Sequence, residues 1–394
     1  MLKNKLKVSE FMTIFVLAPD SFKESMTAEQ VCVAMQTGIL SVMPDAQCIA
    51  VPMADGGEGT VDALIAACDG QKLEVSVSGP LNHQKINTYI GLIEDGKTAV
   101  IEMAKANGIQ LLPPEQRNPM LTSTFGTGQM VQAALDAGVS KIIIGLGGSV
   151  TNDAGAGMAQ ALGAKFLDKN EQEISVCGGN LQSIQMLDLS QLDRRLSQTE
   201  IIIASDVNNP LCGKQGASYV FGPQKGATPE MVQQLDQNLD HFSDIVERSL
   251  KLHVKHHAGA GAAGGLGFGL MAFAGATVQS GAELVIRETK LAEKIAQADY
   301  VFTGEGSIDF QTKFGKTPWA VAQVAKRFNK PLIAFAGRIG DDIQALYEEG
   351  FHQIIGINEP NCDLETALKN GEDHLTQSVK QVCEQLSYLK ETLS

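Results

Sequence analysis

Short apolar runs that stop at an acidic, glycine-containing loop and restart as a helix recur along this chain, and that rhythm constrains its fold more than any single motif. Ile14 to Ala18 runs into PDSFK, and Thr27 with Gln30 forms a capping box for a helix whose inner face is Val31, Ala34, Met35 and Ile39. Cys48 to Met53 runs into ADGGEGT, and the helix that follows turns Val61, Leu64, Ile65 and Cys68 inward. Late in the chain Tyr300 to Thr303 ends in GEGSID. A helix then starts at Thr317-Pro318 with Val321, Val324 and Ala325 inward, Leu332 to Ala336 ends in GRIGDD, and Gln353 to Ile357 ends in NEP. Strands joined through helices lie parallel, so two early and three late units predict one five-stranded parallel sheet.

The middle of the chain breaks this rhythm. LEVSVSG, INTYIGLI and KTAVIEM, separated by Gly79-Pro80, Asn82-His83 and Asp95-Gly96, read as a mostly antiparallel meander. The expected organisation is therefore an α/β domain built from residues 12–70 and 285–394, with a second α/β, mixed-sheet domain, 71–284, inserted into it. Inside the insertion, 109–119 is irregular, 124–138 is a helix, and Ile201 to Ala204 is a strand that stops at SDVNNPLCG. A long helix starts at Thr228-Pro229 and carries Met231, Leu235, Leu239, Phe242, Val246 and Leu250 on one face. His253, His256 and His257 near its end have no carboxylate at a matching offset and read as an exposed helix end. The C-terminal stretch Asp363 to Leu389, with a break at Gly371, reads as sheet-packing, with a homodimer seam as the alternative.

Composition removes several classes of function. A length of 394 residues suits two domains, and the net charge of −14 disfavours nucleic acid or an anionic membrane surface as partner. The seven cysteines are scattered with no CxxC pair, as expected of reduced thiols in a cytoplasmic protein. The opening MLKNKLKVSEFM lacks an apolar core of useful length, so the first eleven residues are expected to be a loose extension.

The chemistry-bearing residues sit where strands end. KIIIGLGGSVTNDAGAGM, Lys141 to Met158, is a buried strand, a glycine loop and a helix start, a geometry that offers backbone amides to an anion such as phosphate. Asp153 reverses the local sign, which points to a divalent cation between carboxylate and phosphate. Asp20, Asp55, Glu58, Glu305 and Asp309 would crowd one rim with Lys23, and the insertion adds Asp153 and Asp206; such a set repels itself unless cations or a shared proton compensate. The formal GxGxxG in Gly259–Gly269 follows a polar helix rather than a strand, and Glu283 precedes the run Leu284 to Ile286. A nicotinamide site therefore yields to a flexible, ligand-facing glycine loop between domains. Gly315-Lys316-Thr317 resembles the end of a Walker A loop, but residue 310 is Phe310 where the first glycine belongs. No HRD and DFG set and no GxSxG occur.

Six motifs in order carry a family resemblance: PDSFKESMTA, PMADGGEGT, GLGGSVTNDAGAGM, DVNNPLCG followed by FGPQKGA, GAGAAGGLG and TGEGSIDFQTKFGKTP, spanning residues 19–318. In this order they resemble the class I glycerate kinases, the glycerate 2-kinase family. The resemblance implies a flavodoxin-like domain with a second α/β domain inserted into it, and ATP-dependent phosphorylation of D-glycerate with Mg²⁺ at the 2-hydroxyl. Formation of 3-phosphoglycerate is the nearest alternative, ahead of a small-acid sensor or a nicotinamide-dependent dehydrogenase. The chain departs from the family pattern at Glu24, where many members carry glycine, and Val150 is a variable position.

With that reaction in view, chemistry assigns roles. Asp153, Glu305 and Asp309 are the expected Mg²⁺ ligands. Gly147, Gly148, Ser149, Gly264 and Gly265, with Lys225 and Lys316, are expected to contact ATP. Asp20, Ser21, Lys23 and Asn208 are expected to hold glycerate, and Asp206 or Asp55 to activate its hydroxyl, with Lys23 assisting the transfer. So small a substrate needs a closed polar pocket, expected from a closing interdomain cleft with hinges near residues 71 and 284.

Overall fold

The computed structural model describes residues 12–81, 83–359 and 361–393; the N-terminal extension, the turn residue Asn82 and Pro360 of the NEP loop lie outside the described residues. The strands are β1 (Ile14–Leu17), β2 (Gln47–Ala50), β3 (Gln71–Ser78), β4 (Lys85–Ile93), β5 (Thr98–Glu102), β6 (Lys141–Gly145), β7 (Lys165–Leu167), β8 (Met186–Asp188), β9 (Glu200–Ala204), β10 (Thr277–Gln279), β11 (Tyr300–Ile308), β12 (Leu332–Ile339) and β13 (Gln353–Gly356). The chain divides into two compact units, one of residues up to Met53 together with Thr289 onward, the other Ala54–Glu288.

In the first unit the sheet order is β13-β12-β11-β1-β2, and every pairing is parallel. Counted along this unit alone the order is 2-1-3-4-5, the flavodoxin-like arrangement. Helix Ala28–Leu40 starts at the expected capping box, Thr27 accepting from the Gln30 amide while Gln30 reaches back to the Thr27 amide. Its buried face meets the C-terminal helix Gly371–Leu393 so closely that a Cβ at Gly38 would lie 2.7 Å from the Thr376 carbonyl oxygen. Leu375, Val379, Val382 and Cys383 of that helix share a core with Phe15, Phe302 and Phe335, whereas Leu364 and Leu389 are exposed. Each fully buried large side chain in such a core contributes about 1.5–3 kcal/mol. Strands β11 and β12 run further than their apolar stretches, pairing Ser307 with Arg338 and Ile308 with Ile339. Main-chain pairing carries the strands through these polar residues, and Gly337 lies so close to Gly306 that a Cβ there would be 2.7 Å from the Gly306 oxygen. GEGSI is therefore strand rather than loop.

In the second unit the order is β10-β9-β6-β5-β4-β3, with β5, β6, β9 and β10 parallel and β4 antiparallel to both β3 and β5. The meander and the mixed sheet are as expected. Helix Thr60–Ala67 belongs to this unit and packs on β4 and β5, and β7 with β8 forms a separate two-stranded ribbon. Ile142, Ile144, Ile201 and Ile203 anchor the core beneath helix Phe125–Asp136 and the long helix Pro229–Leu250, whose N-cap Thr228 accepts from the Met231 amide. The Gly259–Gly269 stretch is not a flexible, ligand-facing loop between domains. It is buried throughout within this unit, and it enters helix Ala262–Ala274 through an elbow with φ of +52°, +67° and +87° at Ala263, Gly264 and Gly265. A Cβ on Gly264 would strike the Thr151 carbonyl oxygen, so glycine serves close packing there. His253 is exposed, and among the described residues no helix is long and apolar enough to cross a membrane.

Candidate functional site

Each unit gathers polar residues at the carboxyl ends of its parallel strands, and each set is built by local chain geometry. In the first unit the Asp20 amide donates to the Gly304 carbonyl at 2.8 Å, which fixes the loop after β1 against β11. One Asp20 carboxylate oxygen accepts from the Ser21 amide at 2.6 Å and the Ser21 hydroxyl at 3.3 Å. The other accepts from the Thr317 hydroxyl at 2.6 Å, at the first residue of helix Thr317–Arg327. Glu305, on the polar extension of β11, accepts from the Thr312 hydroxyl at 3.1 Å and lies 3.5 Å from Lys316 Nζ, which also donates to the Ser307 carbonyl at 3.4 Å. Burial pushes the Glu305 carboxyl up to about 7, the Asp20 charge adds to the rise, and Lys316 opposes it. Lys23 is exposed on the same loop as Asp20. Glu24 beside it has φ +64°, a left-handed position that costs a residue with a Cβ about 1–2 kcal/mol and that glycine would adopt freely. Asp309 faces its own chain, accepting from the Gln311 amide as N-cap of the turn Phe310–Phe314.

In the second unit the loop Asp55–Gly57 lies across strand ends by backbone contact. A Cβ at Gly56, whose φ is +89°, would lie 2.7 Å from the Ala204 carbonyl oxygen at the end of β9. One at Gly145, ending β6, would strike the Gly56 oxygen, and one at Gly147 would lie 2.8 Å from Gly57 Cα. Asp55 bonds the Gly57 amide at 3.0 Å and stays exposed. Asp206, just past β9 and also exposed, is hydrogen-bonded by the Ser280 side chain and the Gly281 amide at the start of helix Gly281–Glu288. Partial desolvation and the neighbouring Asp55 and Glu283 charges nonetheless raise its pKa. Gly147 lies against this loop, and Gly147, Gly148 and Asn208 are exposed residues.

Other nominated residues of this unit lie inside it. Asp153 is fully buried: it accepts from the Thr124 amide at 2.7 Å, the Thr124 hydroxyl at 2.9 Å, and the Gly155 and Gly157 amides at 3.2 Å each. Desolvation raises its pKa despite these four donors. Lys225 is buried too, its ammonium donating to the Thr151 carbonyl at 2.6 Å, and burial pushes its pKa down to about 7 against the pull of Asp153. Ser149, Gly264 and Gly265 are likewise buried. Among the described residues, no three His, Cys, Asp or Glu side chains converge as a metal cluster.

Two contributors escaped the sequence reading. Glu102, 3 % exposed at the end of β5, accepts from the Val61 amide at 2.8 Å and so caps helix Thr60–Ala67, whose own N-cap residue Gly59 has no side chain to do so. An acid ending the apolar run AVIE was the available signal. Ser280 was missed because nothing in its neighbourhood distinguishes it from an ordinary helix cap.

The family model described as the glycerate kinase family matches residues 15–387. A glycerate kinase of Haemophilus influenzae is 49% identical over 95% of this chain and 99% of its own length, and a glycerate 2-kinase of Escherichia coli K12 is 46% identical over 94% and 97%. A crystal structure from Salmonella typhimurium LT2, assigned as glycerate kinase 2, matches with a TM-score of 0.87 at 46% identity, covering 96% of this chain and 100% of that one. Sequence order, both sheets and these relatives agree, and the chain belongs to the glycerate kinase family.

Proposed function

We propose that this protein transfers the γ-phosphoryl group of ATP to the 2-hydroxyl of D-glycerate, giving 2-phosphoglycerate and ADP, in the cytoplasm and with Mg²⁺. The observation that carries the reading is the first unit's cluster at the end of β11, where a carboxyl poised near neutrality, a lysine and the start of a helix stand together. A carboxylate with a pKa close to the working pH is suited to accept the proton of an attacking hydroxyl. Glu305 takes that proton here, in preference to the metal role its charge alone suggests. Lys316 steadies the charge that develops, and Asp20, Ser21 and Lys23 supply further contacts to the hydroxy acid.

In the second unit the exposed Asp55 and Asp206 carry the metal role. Mg²⁺ binds through one or two carboxylates plus water and substrate phosphates, so a two-carboxylate, all-oxygen set fits it without a larger protein cage. Partial desolvation and, after it, the neighbouring Asp55 and Glu283 charges raise the Asp206 pKa, and a bound cation would offset the like-charge part of that rise. When bound, the ion supplies neutralisation of the triphosphate. The Gly147 and Gly148 amides offer hydrogen bonds to phosphate oxygens, while Asp153 and Lys225 hold the segment that follows them from within. The Escherichia coli relative's name supports the 2-hydroxyl as acceptor.

The test is phosphorus NMR of the product formed from D-glycerate and ATP with Mg²⁺. A 2-phosphoglycerate resonance is expected; 3-phosphoglycerate would refute the regiochemistry, and no phosphoryl transfer to D-glycerate would refute the function.

A further inference from the structure

The polar extension of β11 and β12 places an arginine that no nominated role uses. Ser307 and Arg338 are register partners in this parallel pair, as are Glu305 and Ala336. Paired residues project from the same face of a sheet and alternate residues return to it, so Glu305, Ser307 and Arg338 share one face at the strand ends. Lys316 reaches the same place, with its ammonium 3.5 Å from Glu305 and 3.4 Å from the Ser307 carbonyl. Arg338 is exposed, and among the described residues no ion pair or hydrogen bond engages its guanidinium. A planar fork standing open beside a partly buried carboxyl, on backbone held by a strand ladder rather than a loop, is preorganised for a ligand with two parallel oxygens.

Resting on the function proposed above, we infer that Arg338 binds the carboxylate of the hydroxy-acid substrate and sets the preference for an acid over its neutral analogues. A carboxylate fits this face better than a triphosphate does. Glu305 and Asp20 would repel several phosphate charges, whereas one carboxylate on the fork leaves Glu305 and the Ser307 hydroxyl to meet the hydroxyls of the same small molecule. A three-carbon acid with two hydroxyls offers this combination.

The experiment compares Arg338→Ala and Arg338→Lys with the parent protein, using D-glycerate, its neutral isostere D-glyceramide, and ATP as separately varied substrates. Arg338→Ala is expected to lower kcat/KM for D-glycerate roughly 100-fold, mainly through KM, as loss of one partner of a charged bidentate pair does. The KM for ATP and the kcat/KM for D-glyceramide are expected to stay within about threefold, so the preference for acid over amide collapses. Arg338→Lys, which keeps the charge but not the fork, recovers only part, and added guanidinium ion partly restores the alanine variant. An unchanged KM for D-glycerate, equal losses for acid and amide, or a loss confined to ATP overturns the inference. Calorimetric titration separates it from the function it rests on. If the parent turns over no D-glycerate, the function fails, yet D-glycerate binding that Arg338→Ala abolishes still supports the arginine's role, and unaltered binding refutes it.

Discussion

Replacing Asp153 tests whether the carboxylate in the middle of the glycine-loop motif acts on a ligand or on its own chain. Asp153→Ala removes the acceptor of three buried backbone amides, those of Thr124, Gly155 and Gly157, and of the Thr124 hydroxyl. Each buried donor left unpaired costs about 1–3 kcal/mol. The Thr124 hydroxyl keeps its bond from the Met158 amide, and relief of the buried charge offsets part of the loss, so about 4 kcal/mol is expected. For a unit the size of Ala54–Glu288 that is a fall in Tm of roughly 8–16 °C. Asp153→Asn keeps one oxygen where three of the four bonds converge and turns its amide toward the Gly155 N–H, at a cost of about 1–2 kcal/mol. Scanning calorimetry gives the two shifts, and kcat with its Mg²⁺ dependence is then measured well below the lower Tm. On the structural reading both variants melt early, in that order, and the Mg²⁺ half-saturation of the asparagine variant stays at the parent value. An unchanged Tm with a hundredfold loss of kcat and a shifted Mg²⁺ requirement would refute this reasoning and restore the metal role assigned from sequence.

Lys225 is held near 7 in the folded chain against 10.5 in the unfolded one, so between those values the unfolded state binds more protons and stability rises with pH. Lys225→Met is expected to flatten that rise in denaturant midpoints from pH 7 to 10; an undiminished slope would count against the buried ammonium. Glu305 titrates the other way: raised from 4.5 to about 7, its contribution to stability is complete below 4.5 and lost as pH climbs through 7. Because it must be ionised to accept a proton, kcat/KM should fall on the acid side of about 7, and Lys316→Met, which removes the opposing cation, should move that limb upward; a downward shift would exclude Glu305 as the base. Glu102→Ala orphans the Val61 amide and should cost about 1–3 kcal/mol, while Glu102→Gln, which still offers an oxygen, should recover most of it; equal losses would show that charge rather than capping matters.

The fold was largely legible because its elements announce themselves locally. Apolar strands followed by capping residues gave the parallel sheet and the helix starts at Thr27 and Thr228, and the turn residues around Pro80 and Gly96 gave the meander. What escaped depends on partners distant in sequence. The extension of β11 and β12 has no apolar signature, since the ladder alone carries Gly304 to Ser307. The GxGxxG stretch looked like a mobile loop because glycine permits both freedom and close approach, and only the Thr151 oxygen in its path distinguishes the two. For the acids the sequence gives charge but not the destination of each lone pair. Asp153, Asp309 and Asp55 share similar glycine- or turn-rich settings, yet the first is turned wholly inward, the second caps its own turn, and the third remains exposed.

That difference in destination carries a consequence for how the second unit tolerates change. The path of Asp55–Gly57 is set by backbone against backbone, with Gly56 under the Ala204 oxygen and Gly145 under that of Gly56, so it owes little to the Asp55 side chain. An exposed carboxylate on a loop fixed in this way can be removed at small cost in stability, because few buried groups lose a partner. A methyl group added at Gly56 or Gly145 must instead displace main chain at a strand end, where packing leaves no room to yield. Rigidity in this unit is thus held by glycines and buried acids such as Glu102, while the metal role proposed for it rests on the exposed Asp55 and Asp206. Substitutions at Asp55 or Asp206 should therefore reach the rate while sparing the fold, and those at the glycines should reach both.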